Sequence, residues 1–151
     1  MTRLLFVCLG NICRSPIVES VARVEFARAG LDIEVASAGT GAWHAGEPAD
    51  PRAIAAAEAS GYPLAAHRAR QVAAGDFDAF DEVLAMDRAN LRALQHWRPA
   101  PARSAAALFL GDAEVPDPYY GTRADFARVV ALARDGVRTL ARRLGAPTAA
   151  R

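Results

Sequence analysis

The residues best suited to chemistry stand together near the start of the chain, in Cys8-Leu9-Gly10-Asn11-Ile12-Cys13-Arg14-Ser15-Pro16. A thiol, then a short loop, then a guanidinium and a hydroxyl is an order that can hold a tetrahedral oxyanion and attack it. Gly10 and Asn11 are residue types that reach left-handed backbone conformations, so consecutive N–H groups can turn inward as an anion nest. Arg14 adds a planar fork for two oxygens of one phosphate, and a helix starting here adds about half a positive charge. Cys8, at the mouth of that nest, is expected to serve as a thiolate nucleophile, since positive surroundings favour the ionised form of a thiol. Ser15 can donate its hydroxyl hydrogen to the sulfur, helping it to ionise and later to leave.

Such a loop works only if rigid elements hold it. Leu4-Leu5-Phe6-Val7 is a continuous apolar run, the pattern of a strand buried on both faces of a parallel sheet. Ser15 as cap and Pro16 in the first helical position open a helix whose apolar positions are Val18, Val21, Ala22, Phe26 and Ala29, with Gly30 as its stop. Ile33 to Ala36 reads as a second strand, and Ser37 to Gly41 opens a long loop carrying Trp43 and His44. Asp50-Pro51 starts a helix that Gly61 ends. Val83 to Met86 is a third strand, followed by a helix from about Asp87 to Trp97, and Ala105 to Leu110 is a fourth. After a loop from Gly111 to Gly121, Thr122 and Asp125 have capping-box spacing. They open a last helix with the apolar stripe Phe126, Val129, Val130, Ala133, Val137, Leu140 and Leu144. Strands alternating with helices predict an α/β fold, an open, doubly wound, four-stranded parallel sheet flanked by helices. In such sheets ligands bind outside the carboxyl ends of the strands, where the loops after Val7, Ala36, Met86 and Leu110 converge.

Composition narrows the function classes. At 151 residues, 52% apolar and 23% charged, the chain is expected to form one domain, 1–151, with 146–151 a frayed tail. A net charge of +1 gives no basic excess for nucleic acid. All 18 basic residues are arginine, which removes Schiff-base lysine chemistry and the lysine of the triphosphatase phosphate loop. No window approaches the ~20 apolar residues of a membrane span, and the first residues reach Gly10 and Arg14 too soon for a secretion signal. Two cysteines make no disulfide framework, so the expected compartment is the cytoplasm. Together with three scattered histidines they make no convincing zinc site, and no metal or other cofactor is expected.

The segment Val7 to Pro16 resembles the signature loop of the low-molecular-weight protein tyrosine phosphatases, and Asp117-Pro118-Tyr119-Tyr120-Gly121 resembles a second element of that family. The likeness spans Leu4 to Leu144. It implies a flavodoxin-like three-layer sandwich with a phosphate-binding loop, Leu9 to Arg14, after the first strand. It also implies a hydrolase acting on phosphotyrosine or other aryl monoesters through a cysteinyl-phosphate on Cys8. Arg14 then binds the phosphoryl group, Ser15 supports the sulfur, and Asp117 is the general acid that later serves as base. Such a proton donor is typically worth ~10²–10⁴-fold in rate. Pro118 biases Asp117 toward extended backbone, and Tyr119 and Tyr120 offer flat faces to an aryl leaving group.

By the same resemblance Asn11, Ser37 and His67 hydrogen-bond around the loop and hold Asn11 in a strained conformation, and Trp43 is a wall that tunes substrate choice. Cys8 and Cys13 resemble a pair whose reversible disulfide protects the nucleophile. The implied partners are phosphotyrosine-containing proteins, a bacterial tyrosine kinase among them, with inorganic phosphate as product and the enzyme a monomer or weak dimer. Protein-arginine phosphatases resemble the chain too, but carry Thr where it has Ile12. Arsenate reductases of this type use two further cysteines after the third strand, where the chain has none. A non-catalytic phosphate or redox sensor would not need Asp117 paired with Cys8.

Overall fold

The computed structural model of the protein describes residues 1–145, so the expected fraying of the last residues lies outside the described part. In chain order the elements are β1 (Thr2–Cys8), α1 (Arg14–Arg28), β2 (Ile33–Gly39), α2 (Pro51–Ala59), α3 (Asp76–Ala79), β3 (Glu82–Ala85), α4 (Arg88–Trp97), β4 (Ala106–Leu108) and α5 (Arg123–Gly145). The strands form one parallel sheet in the order β2-β1-β3-β4.

The apolar run of β1 is buried on both faces because a strand alternates its side chains. Leu4, Phe6 and Cys8 join the core that α1, α2 and α5 build, whereas Leu5 and Val7 join Phe77, Phe80 and Leu94 on the side of α3 and α4. Helices thus cover both faces of the sheet, giving the three layers expected. Of the α5 stripe, Phe126 to Leu140 is buried and Leu144 packs partly exposed against it.

Three local expectations are corrected, the fourth strand is shorter, at Ala106–Leu108, than the expected Ala105 to Leu110, and one helix was not foreseen. β2 runs on through Ser37 and Ala38 to Gly39, because β1 extends to Cys8 and each further residue finds a parallel partner, ending at Cys8 opposite Gly39. Ser15 does not cap α1: the helix begins at Arg14 with Cys13 at the cap position and no side-chain cap bond, so Ser15 and Pro16 are already helical. Ala29 lies past the end of α1 and is exposed. The four-residue α3 was not expected, being too short to show a helical period. The predicted start of α2 holds, with Asp50 accepting from Arg52 N at 2.8 Å. So does the link before α5, where Thr122 N and Oγ1 donate to the Asp125 carboxylate at 2.7 and 3.1 Å.

Candidate active site

The loop between β1 and α1 turns on Asn11, whose φ of 58° is the one left-handed value at a non-glycine among the described residues. That conformation costs about 1–3 kcal/mol. The side chain, wholly buried, is held from three directions: Oδ1 accepts from Arg70 N at 2.9 Å, while Nδ2 donates to Ser15 Oγ at 2.9 Å and to Ser37 Oγ at 3.0 Å. His67 Nε2 donates to the Asn11 carbonyl at 2.8 Å, which fixes the proton on that nitrogen. Ser37 in turn donates to the Glu19 carboxylate. At a net ~0.5–1.5 kcal/mol each, four such bonds outweigh the strain. The structure thus brings Asn11, Ser37 and His67 together by hydrogen bonds around the loop. Gly10 departs from expectation: it has no left-handed φ, and its missing Cβ matters because one would lie 3.2 Å from His44 Cδ2.

The strand carries the sulfur to the inner side of this turn. Cys8 Sγ accepts from Asn11 N at 3.3 Å and lies 3.0 Å from Ser15 Oγ. Because Ser15 Oγ already accepts from Asn11, its own hydrogen is left for the sulfur or for the Ala38 carbonyl, which is further away at 3.4 Å. The end of β2 closes against the same loop, with Thr40 N donating to Cys8 O and Gly41 N to Leu9 O, both at 2.9 Å. A Cβ at Gly39 would stand 2.8 Å from the Leu9 carbonyl, so only glycine permits this approach.

Arg14 is buried, and its NH1 donates to Asp87 Oδ2 at 2.7 Å and to the Val115 carbonyl at 3.0 Å. Its NH2 lies 3.7 Å from Asp117 Oδ2. Burial works against the guanidinium charge, but Cys8, then Asp87 and Asp117, outweigh it and raise its pKa above the usual arginine value. Asp87, at the N-terminus of α4, was read from the sequence only as a helix start. Nothing local in the chain signals that it grips an arginine from another element.

A cavity of about 250 Å³ opens over these groups. Cys8, Leu9, Gly10, Ile12, Cys13 and Arg14 form its floor, and Trp43, His44, Asp117, Tyr119 and Tyr120 its rim. Asn11, Ser15, Ser37 and His67 lie behind the floor and do not line it, so Asn11 reaches the site through its N–H alone. The Trp43 indole lies over Gly41, where a Cβ would overlap the ring. The Tyr119 and Tyr120 rings meet edge to face at 4.9 Å. Both cysteines are free thiols, and burial, followed by the charges of Asp50, Cys8 and Asp117, pushes the Cys13 thiol pKa far up. Among the described residues no group of three or more His, Cys, Asp or Glu is placed to hold a metal ion, and no helix is long and apolar enough to cross a membrane. The sequence reading missed Asp87, Glu19 and Arg70, and left His44 without a part. Each acts through a contact that only folding makes.

The chain is similar to known proteins over most of its length. Residues 3–149 match the family model described as low molecular weight phosphotyrosine protein phosphatase. A low molecular weight protein-tyrosine-phosphatase of Streptomyces coelicolor is 47% identical over 135 residues, 82% of each chain. The crystal structure of a protein tyrosine phosphatase from Entamoeba histolytica, with Hepes in its active site, superposes with a TM-score of 0.90 at 35% identity, covering 96% of this chain and 97% of that one. Wzb of Vibrio vulnificus, solved in complex with benzylphosphonate, gives 0.85 at 29% identity, covering 94% and 98%.

Proposed function

The chain belongs to the low molecular weight phosphotyrosine protein phosphatase family, and from that premise we propose that it hydrolyses phosphotyrosine and related aryl monoesters through a phosphocysteine on Cys8. One observation carries this reading: the Cys8 sulfur, with Asn11 N–H and the Ser15 hydroxyl aimed at it, shares a single cavity with Arg14 and Asp117.

In the first step the Cys8 thiolate attacks phosphorus, the P–O bond to the aryl group breaks, and the protonated Asp117 gives its proton to the leaving oxygen. The loop N–H groups and Arg14 hold the equatorial oxygens, with Arg14 kept in place by Asp87 and the Val115 carbonyl. In the second step water attacks phosphorus, the Asp117 carboxylate takes its proton, the P–S bond breaks, and inorganic phosphate leaves. Ser15 stabilises the departing sulfur by its hydroxyl. Trp43, Tyr119 and Tyr120 stand where an aryl group would emerge from the cavity, and a flat ring fits between such faces. No step uses a metal or an organic cofactor.

The proposal extends to the chain acting as a single phosphatase domain in the cytoplasm, as a monomer or weak dimer, on phosphotyrosine proteins that include a bacterial tyrosine kinase. The decisive test replaces Cys8 by Ser and follows p-nitrophenyl phosphate and a phosphotyrosine peptide. Turnover is expected to vanish while orthophosphate or vanadate still binds. Substantial hydrolysis by that variant would refute the assignment, and a phosphoarginine peptide cleaved better than the phosphotyrosine one would redirect it.

A further inference from the structure

Asp117 needs a defined position over the sulfur, yet its own segment has few ties to the rest of the molecule. Val115 N donates to Met86 O at 2.8 Å, and Pro118 is buried. Between them and Thr122 the hydrogen bonds are local, Tyr119 N to Asp117 Oδ1 at 3.1 Å and Gly121 N to Pro118 O at 2.8 Å. The Asp117 carboxylate is about half exposed and stands beyond hydrogen-bond distance of Arg14.

Besides Arg14, which donates to the Val115 carbonyl and faces Asp117, a second charged side chain from another element bears on this segment. Arg52, in the first turn of α2, lies over the Tyr119 ring with its guanidinium carbon 5.5 Å from the centroid, and over the Phe126 ring of α5 at 4.6 Å. Cations within about 6 Å of a ring face are attracted to it. Arg52 is itself fixed: Asp50 takes its Nε at 3.0 Å and its NH2 at 2.8 Å while capping α2 through Arg52 N. The carboxylate that starts the helix thus also locks the arginine's fork, a pre-organised geometry that a lysine would not reproduce. Arg52 does not line the cavity, and its side-chain hydrogen bonds go to Asp50 rather than to the groups that would meet phosphate.

We propose that Arg52 is a positioning residue for the general acid: clamped by Asp50, it pins Tyr119 against α5 and thereby sets where Asp117 sits relative to Cys8. This rests on the reading of Asp117 as the proton donor. Arg52 should matter in proportion to how much a substrate needs that proton and should leave anion binding alone.

The experiment measures kcat/KM over aryl phosphates of increasing leaving-group basicity, from p-nitrophenyl to phenyl phosphate, with inhibition by inorganic phosphate as a second readout. Arg52→Ala is expected to change p-nitrophenyl phosphate little and to slow phenyl phosphate by about tenfold, a fraction of the ~10²–10⁴ a general acid supplies. The phosphate inhibition constant stays as in the parent enzyme, which also shows that the loop is folded. In a Tyr119→Ala background the same substitution has no further effect, because its route to Asp117 is gone. An equal loss across the series, weaker phosphate inhibition, or a full effect without Tyr119 would each overturn the clamp. An Asp117→Asn control separates the two ideas. If that variant keeps the parental leaving-group dependence, the acid assignment falls; if it steepens the dependence and Arg52→Ala does not, only the clamp falls.

Discussion

Asp87 divides one carboxylate between two tasks: Oδ1 accepts from Asn90 N at 2.7 Å, capping α4, and Oδ2 takes Arg14 NH1 at 2.7 Å. The helix start and the Arg14 guanidinium are therefore set by the same side chain. Asp87→Asn should keep the cap, since asparagine caps as well as aspartate, while presenting an uncharged amide to the guanidinium. Its kcat/KM should fall by about 10²-fold, the cost of a small misplacement at a reacting centre, with little change in melting temperature. Asp87→Ala should lose the same activity and also the ~1 kcal/mol of the cap. Calorimetry beside steady-state kinetics checks the pair, and an Asn variant as active as the parent would dissociate the two roles.

Ser15 donates to the sulfur and accepts from Asn11, so its removal affects the leaving of sulfur more than its attack. In Ser15→Ala the lost charge-assisted bond, worth ~1.5–3 kcal/mol, should slow dephosphorylation by roughly ten- to a hundredfold. Rapid-quench kinetics should then show a larger burst of phenol with phosphocysteine accumulating. A slowed burst with no accumulation would place the serine's effect in the first step instead.

Asp117→Ala should slow esters with poor leaving groups most and p-nitrophenyl phosphate least, because an activated phenolate departs without a proton. A plot of log kcat/KM against leaving-group pKa is expected to steepen. A uniform drop along the series would contradict the role of acid.

The two thiols should differ in reactivity. Cys13 is held protonated by burial first and by Asp50, Cys8 and Asp117 next, so at neutral pH iodoacetamide should label Cys8 and spare Cys13, as peptide mapping would report. A folded-state pKa above the unfolded one means that the native state keeps a proton the unfolded chain gives up. Stability should thus be flat below the unfolded thiol pKa of ~8.5 and fall as pH rises above it, by at most ~1.4 kcal/mol per unit. Cys13→Ala should remove that decline in denaturant titrations at alkaline pH; an unchanged slope would refute the assignment.

Asp50 carries the opposite sign. The Arg52 side-chain hydrogen bond, against some burial, lowers its pKa below the ordinary carboxylate value. Its contribution should be complete above an unfolded pKa of ~3.9 and disappear as pH falls through the lower folded value. Asp50→Asn should flatten that acid limb of the stability profile, and an acid limb identical to the parent's would show that the pairing adds nothing.

Much of this molecule follows from local order in the chain. An apolar run, a loop of Gly and Asn, and an arginine before a helical period suffice to place Cys8 at the end of a buried strand and Arg14 at the start of the helix that follows. Capping residues such as Asp50 and Thr122 mark helix starts because their partners lie within the next turn. Tertiary packing alone settled what lies far away in sequence: Asp87 reaching Arg14 across 73 positions, Glu19 behind Ser37, and Arg52 laid on Tyr119. It also decided that β2 continues to Gly39, since a strand ends where its partner does. The physical reason is range. Periodicity and capping are written in neighbours a turn apart, whereas a hydrogen-bond acceptor is indifferent to which distant donor reaches it until the sheet and helices bring one within 3 Å.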